Sequence, residues 1–130
     1  MKKLLLLSAA LTLGLCAAAR AHEGHDHGQA KDSSVSGTYT GEVLDLACYL
    51  SHGTAGKDHQ KCSKMCLTKD HVSAGLLTDD GKVFALVDDH KAMNAMAKVR
   101  ELASEKVKIT GKQVSKGGLQ AILVSGVEKL

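Results

Sequence analysis

The sequence predicts a mainly β domain: a five-stranded barrel with one helix and a Cys/His-rich insert between strands 1 and 2. Three observations predict it. Strand-like stretches recur along the chain, "TYTGEVLDL", "GLLTDDGKVFALV", "KVKITGKQV" and "LQAILVSGVEKL", each alternating or apolar and bounded by turn residues. A single longer stretch, "DDHKAMNAMAKVRELASE", repeats its apolar residues at helical steps. Between the first strand and the second lies "ACYLSHGTAGKDHQKCSKMC", residues 47–66, which holds Cys48, Cys62 and Cys66 together with His52 and His59.

Taken in order, the chain opens on "MKKLLLLSAALTLGLCAAARA". Two lysines, an apolar run and a closing Ala19-Arg20-Ala21 form the pattern of a secretory signal peptide cleaved after residue 21. The run is shorter than the ~20 apolar residues a membrane span needs, so no stable membrane anchor is expected. Cys16 would leave with the signal. The expected compartment is the periplasm, where disulfides form.

Cleavage changes the charge balance. Loss of Lys2, Lys3 and Arg20 brings the 17 basic residues to 14, equal to the 14 acidic ones. A net charge near zero gives no electrostatic case for nucleic acid. Two tyrosines, one phenylalanine and no tryptophan give no platform for stacked bases. Nucleic acid is therefore excluded as an expected partner.

Residues 22–36, "HEGHDHGQAKDSSVS", show no apolar period and are expected to form a flexible tail. Within it His22, His25 and His27 form a short His-rich tract, a secondary candidate for metal. The barrel domain is expected over 37–130. Strand 1 follows, with Gly41 as a bulge or bend. The second and third strands join at Asp79-Asp80-Gly81, a hairpin sequence. Asp88 or Asp89 is expected to cap the helix, whose apolar face is Ala92, Met96, Val99 and Leu102–Ala103, with Met93 beside it. Helical spacing makes these methionines core filler rather than copper ligands. Val107 and Ile109 alternate with Lys106, Lys108 and Thr110, giving strand 4 one buried and one wet face. "SKGG" turns the chain into the last strand. A barrel with its helix between strands 3 and 4 is the OB-fold order; a small α+β roll is the competing architecture.

In the insert the candidate ligands run Cys48-x3-His52-x6-His59-x2-Cys62-x3-Cys66. Gly53 and Gly56 let the chain turn back. Asp58 is expected to cap a short helix over 61–67 that carries His59, Cys62 and Cys66 on one face. Cys48 and His52 would share a face if the strand runs into a helical turn. Thiolate and imidazole are the ligands of copper and zinc, with soft sulfur placing Cu(I) slightly ahead. Lys57, Lys61 and Lys64 are expected to favour thiolate over thiol, and Met65 is expected to pack.

Two other readings use the same cysteines. Cys48 joined to Cys62 or Cys66 would be a disulfide bond stapling a structural or interaction module, at the cost of leaving one sulfur over. A thiol-redox protein is the third, although C-x-x-x-C is not the usual dithiol motif and residues four apart on a helix stand too far apart to bond. No H-E-x-x-H, G-x-S-x-G or phosphate loop is present. The expected function is thus metal storage or transfer rather than catalysis. The metal ion is the expected partner, and a periplasmic or membrane protein is a further class left open.

Residues 37–130 resemble a group of small exported bacterial proteins with OB-like barrels and a Cys/His-rich insert. "GEVLDLACYLSHG", "HQKCSKMC", "DDGKVFALVDDH" and "GGLQAILVSGVEKL" carry the resemblance. It implies export and the barrel, and it implies no activity.

Overall fold

The computed structural model describes residues 34–130. Cys16 and the tract of His22, His25 and His27 lie outside them. Five strands form the body: β1 (Val35–Asp45), β2 (Ala74–Thr78), β3 (Val83–Asp88), β4 (Lys106–Lys116) and β5 (Leu119–Lys129). They close into a barrel in the order β1-β2-β3-β5-β4. Every neighbouring pair is antiparallel except β3 with β5. Three short helices accompany them: α1 (Leu46–His52), α2 (Gln60–Thr68) and α3 (Ala95–Glu101), with a 3-10 turn over Lys57–His59 leading into α2. Beside the helix after β3, the insert supplies two: α2, where the short helix over 61–67 was expected, and α1, where the strand runs into a helical turn.

The alternation along the strands explains the closure. Val43, Leu76, Phe84, Leu86, Val107, Ile109, Ile122 and Val124 all point into one buried cluster. Lys106 and Thr110 flank Val107 and Ile109 and face solvent, with Lys108 half-buried between them. β1 pairs with β4 through Glu42 and with β2 from Gly41 onward, so it belongs to both halves of the barrel. Gly41 sits at that changeover. A side chain there would collide with the backbone carbonyl of Leu77, so close approach explains this glycine. The irregularity in the ladder lies elsewhere, between Thr110 and Gly111.

β1 starts at Val35, inside the stretch expected to be tail, because β4 extends far enough to pair Val35 with Gln113. The helix after β3 is shorter than its apolar period suggests. The Asp89 carboxylate accepts from Lys91 N at 3.0 Å and its carbonyl accepts from Ala92 N at 2.8 Å. These local bonds hold residues 89–92 in a turn, and the helix begins only at Ala95. Met96 and Val99 are buried as expected, but Met93, before the helix, is exposed. Met65 is likewise half exposed rather than packed.

The chain between β1 and β2 leaves and rejoins the barrel at one paired position, Asp45 opposite Ala74. Leu67 of α2 enters the barrel's own core beside Met96, Val99 and Ala103. Three polar ties add to it. Gly56 N donates to Glu42, Gln60 Nε2 donates to Glu105 and to the Ala103 carbonyl, and Lys64 pairs with Glu101 at 2.9 Å.

Candidate metal centre

Asp45 builds the site. It ends β1 and caps α1: its Oδ1 accepts from Ala47 N at 2.9 Å and from Cys48 N at 3.1 Å. This satisfies two of the unpaired amides of a helix start and fixes Cys48 within the first turn. Asp45 is 3% exposed, and its second oxygen, Oδ2, is buried without a hydrogen-bond partner.

From the other side α2 presents Cys62 and Cys66, one helical turn apart. The sulfurs of Cys48, Cys62 and Cys66 all lie within 4.8 Å of one another. Zinc–sulfur bonds of ~2.3 Å put the sulfurs of a tetrahedral site about 3.8 Å apart, so a small inward rotation closes the set on an ion. A second group shares Cys48: the ligand atoms of Asp45, Cys48 and His59 also lie within 4.8 Å of one another. His59 is half-buried at the N-terminal boundary of α2, and its Nε2 is buried without a partner.

All three cysteines among the described residues are free, with no disulfide between them. Cys48 and Cys66 are half-buried, and Cys62 is exposed. The lysines do not lower the thiols as expected. The Cys48 thiol is pushed up, first by the Asp45 carboxylate that its S–H faces, then by burial and the charge of Asp45. Cys66 is pushed up to about 12, first by burial and then by the neighbouring Asp45 carboxylate and Cys62. Lys64 is engaged with Glu101, and Asp45 is the charge that sets the thiols' character. Both thiols are thus protonated at neutral pH, and a metal bound as thiolate must displace those protons.

Of the five expected ligands, Cys48, Cys62 and Cys66 meet in one group, and His59 meets Cys48 in a second one with Asp45. His52 joins neither group. It closes α1 at the surface, where Gly53, at φ 68°, ends the helix and donates to the Tyr49 carbonyl at 2.8 Å. A histidine in a last turn complements the helix dipole, and that role explains it. Asp58 makes no capping bond to α2, whose N-terminal boundary is His59. Asp45 is the candidate ligand that sequence reading missed, because it closes an alternating strand. Its place three residues before Cys48, at a strand-to-helix junction, was the available signal.

This arrangement gives sulfur, imidazole and carboxylate donors from two helices and a strand end, held by a closed barrel. It can hold a metal ion. No family model, no curated protein and no solved structure matches the chain.

Proposed function

We propose that the protein is an exported soft-metal carrier, binding Cu(I) or Zn(II) through Cys48, Cys62 and Cys66, and that it stores or transfers the ion in the periplasm without turning over an organic substrate. The observation that carries the reading is the convergence of three free thiols from two helices. A structural disulfide uses two sulfurs and leaves the third without a reason. A three-sulfur site uses all of them, and sulfur favours Cu(I) and zinc over harder ions.

Unequal exposure supports transfer. Cys48 and Cys66 are half-buried, while Cys62 is exposed on the rim of a groove that Lys61, Met65, Leu102 and Lys129 line. An incoming thiolate or imidazole of a periplasmic or membrane partner can reach the ion beside Cys62 before the inner ligands let go. The histidines of residues 22–27 would collect ions more weakly before that step.

Metal analysis of anaerobically purified protein, with chelator competition, tests the reading. Stoichiometric metal that resists a weak chelator is expected in the wild-type chain, and Cys62→Ser is expected to hold less of it. A metal content unchanged by that substitution, or a quantitative disulfide in freshly isolated protein, would replace the carrier by a stapled module.

A further inference from the structure

We infer that the centre takes two cations rather than one, with the Cys48 sulfur bridging them: a soft ion among Cys48, Cys62 and Cys66, and a second, harder ion between Asp45, Cys48 and His59. This rests on the carrier reading and extends it.

The two triads each close within 4.8 Å, and Cys48 is their common member. The second triad also shows two buried polar atoms with nothing to bind. Asp45 spends Oδ1 on the amides of Ala47 and Cys48, and Oδ2 has no partner. His59 Nε2 is equally unpartnered. A buried polar atom left unpaired is costly, and Asp45 and His59 each carry one while each offers a ligand atom to the group that Cys48 completes. Loading the sulfur triad deepens the need. Three thiolates and the Asp45 carboxylate carry four negative charges; one Cu(I) offsets a single charge, and a divalent ion beside it offsets two more. Donor chemistry separates the positions: three sulfurs suit Cu(I), whereas carboxylate, imidazole and one thiolate suit Zn(II). Thiolate sulfur has the lone pairs to bridge two ions, and neither Asp45 nor His59 is needed by the first.

Native mass spectrometry of the full chain, anaerobic, titrated with Zn(II) alone and with Cu(I) followed by Zn(II), tests this. Asp45→Asn preserves the cap, since asparagine caps as well as aspartate, but removes the charge. His59→Ala leaves all three thiols in place. Each substitution is expected to lower the number of tightly bound ions by one relative to wild type, with Cu(I) retained, and unchanged far-UV circular dichroism checks the fold. Using the difference between chains cancels ions held by the histidines of residues 22–27. Equal stoichiometry in wild type, Asp45→Asn and His59→Ala would overturn the second position while leaving the carrier reading intact. Loss of Cu(I) in those same variants would place all five ligands on one ion and overturn it as well. No difference between wild type and Cys62→Ser would instead defeat the carrier reading itself.

Discussion

The barrel and the insert are held by different forces. The barrel closes on itself through five ladders around side chains that are almost wholly buried. α1 buries none of its residues, and α2 buries only Ser63 and Leu67. What fixes the insert is a handful of particular bonds: the Asp45 cap, the Gly53 stop, the Gln60 and Lys64 ties, and one leucine in the core. An apolar core tolerates little change in volume. A segment held by single bonds is free to adjust to a ligand, and the chemically active residues stand on that second kind of structure.

Breaking the barrel should have the largest effect. Ile122 is fully buried, and Ile122→Ala should cost about 2–5 kcal/mol. Urea denaturation followed by circular dichroism should show barrel and insert lost together. Leu67→Ala sharpens the contrast. It removes a fully buried side chain from the same cluster, but at the edge, where α2 can settle inward. We expect about 2–3 kcal/mol, with a drop in metal affinity that Ile122→Ala, still folded at low denaturant, does not show. Equal effects on affinity would mean that insert and barrel are one cooperative unit.

Gly53→Ala comes next. Nothing lies near the added methyl, so the cost comes from the left-handed backbone alone, at φ 68°, or roughly 1–2 kcal/mol. It should fray the end of α1 and leave the barrel's unfolding midpoint almost unchanged. Local hydrogen exchange at Tyr49–Gly53 reads the difference.

The smallest effect is electrostatic and belongs to the barrel. The Lys82 ammonium and the Thr78 hydroxyl hold Asp80 down to about 2. A carboxylate depressed in the folded state stabilises above its unfolded value, ordinarily near 3.9, and that contribution disappears as pH falls through the folded one. Asp80→Asn should therefore lower the Tm slightly at pH 6, and the difference from wild type should vanish near pH 2. The pair is exposed, so the shift should be small and should leave the insert untouched.

The same division governs how much was legible in the sequence. Strands announce themselves by period, so "KVKITGKQV" and "LQAILVSGVEKL" fall within two residues of β4 and β5. Asp79-Asp80-Gly81 marks the hairpin because its chemistry is local: Gly81 takes φ 80° there. The cysteines and His59 were legible as chemistry, being concentrated in one short stretch. What failed was whatever depends on direction in space. His52 has the right spacing from Cys48, yet α1 ends immediately after it. Lys64 lies between two cysteines in sequence but reaches Glu101 on α3. Asp45 reads as the last residue of a strand, and only the turn into α1 sets its carboxylate beside the thiols. The helix after β3 was read too long because period alone does not show that Asp89 captures the amide of Lys91.

The pairing of Asp45 with Ala74 has a consequence for engineering. Partners across an antiparallel ladder have Cα atoms only about 4.5–5.5 Å apart, a gap that a tight two-residue turn can span. Residues 46–73 therefore form a cassette whose two ends are presented side by side by the β1–β2 ladder. Excising or exchanging such a cassette would leave the host to repair the vacancies of Leu67 and Val72 and the lost partners of Glu42, Glu101 and Glu105. Transplanted with its flanking pair onto another antiparallel hairpin, it would take along Asp45, Cys48, His59, Cys62 and Cys66 as one heritable unit.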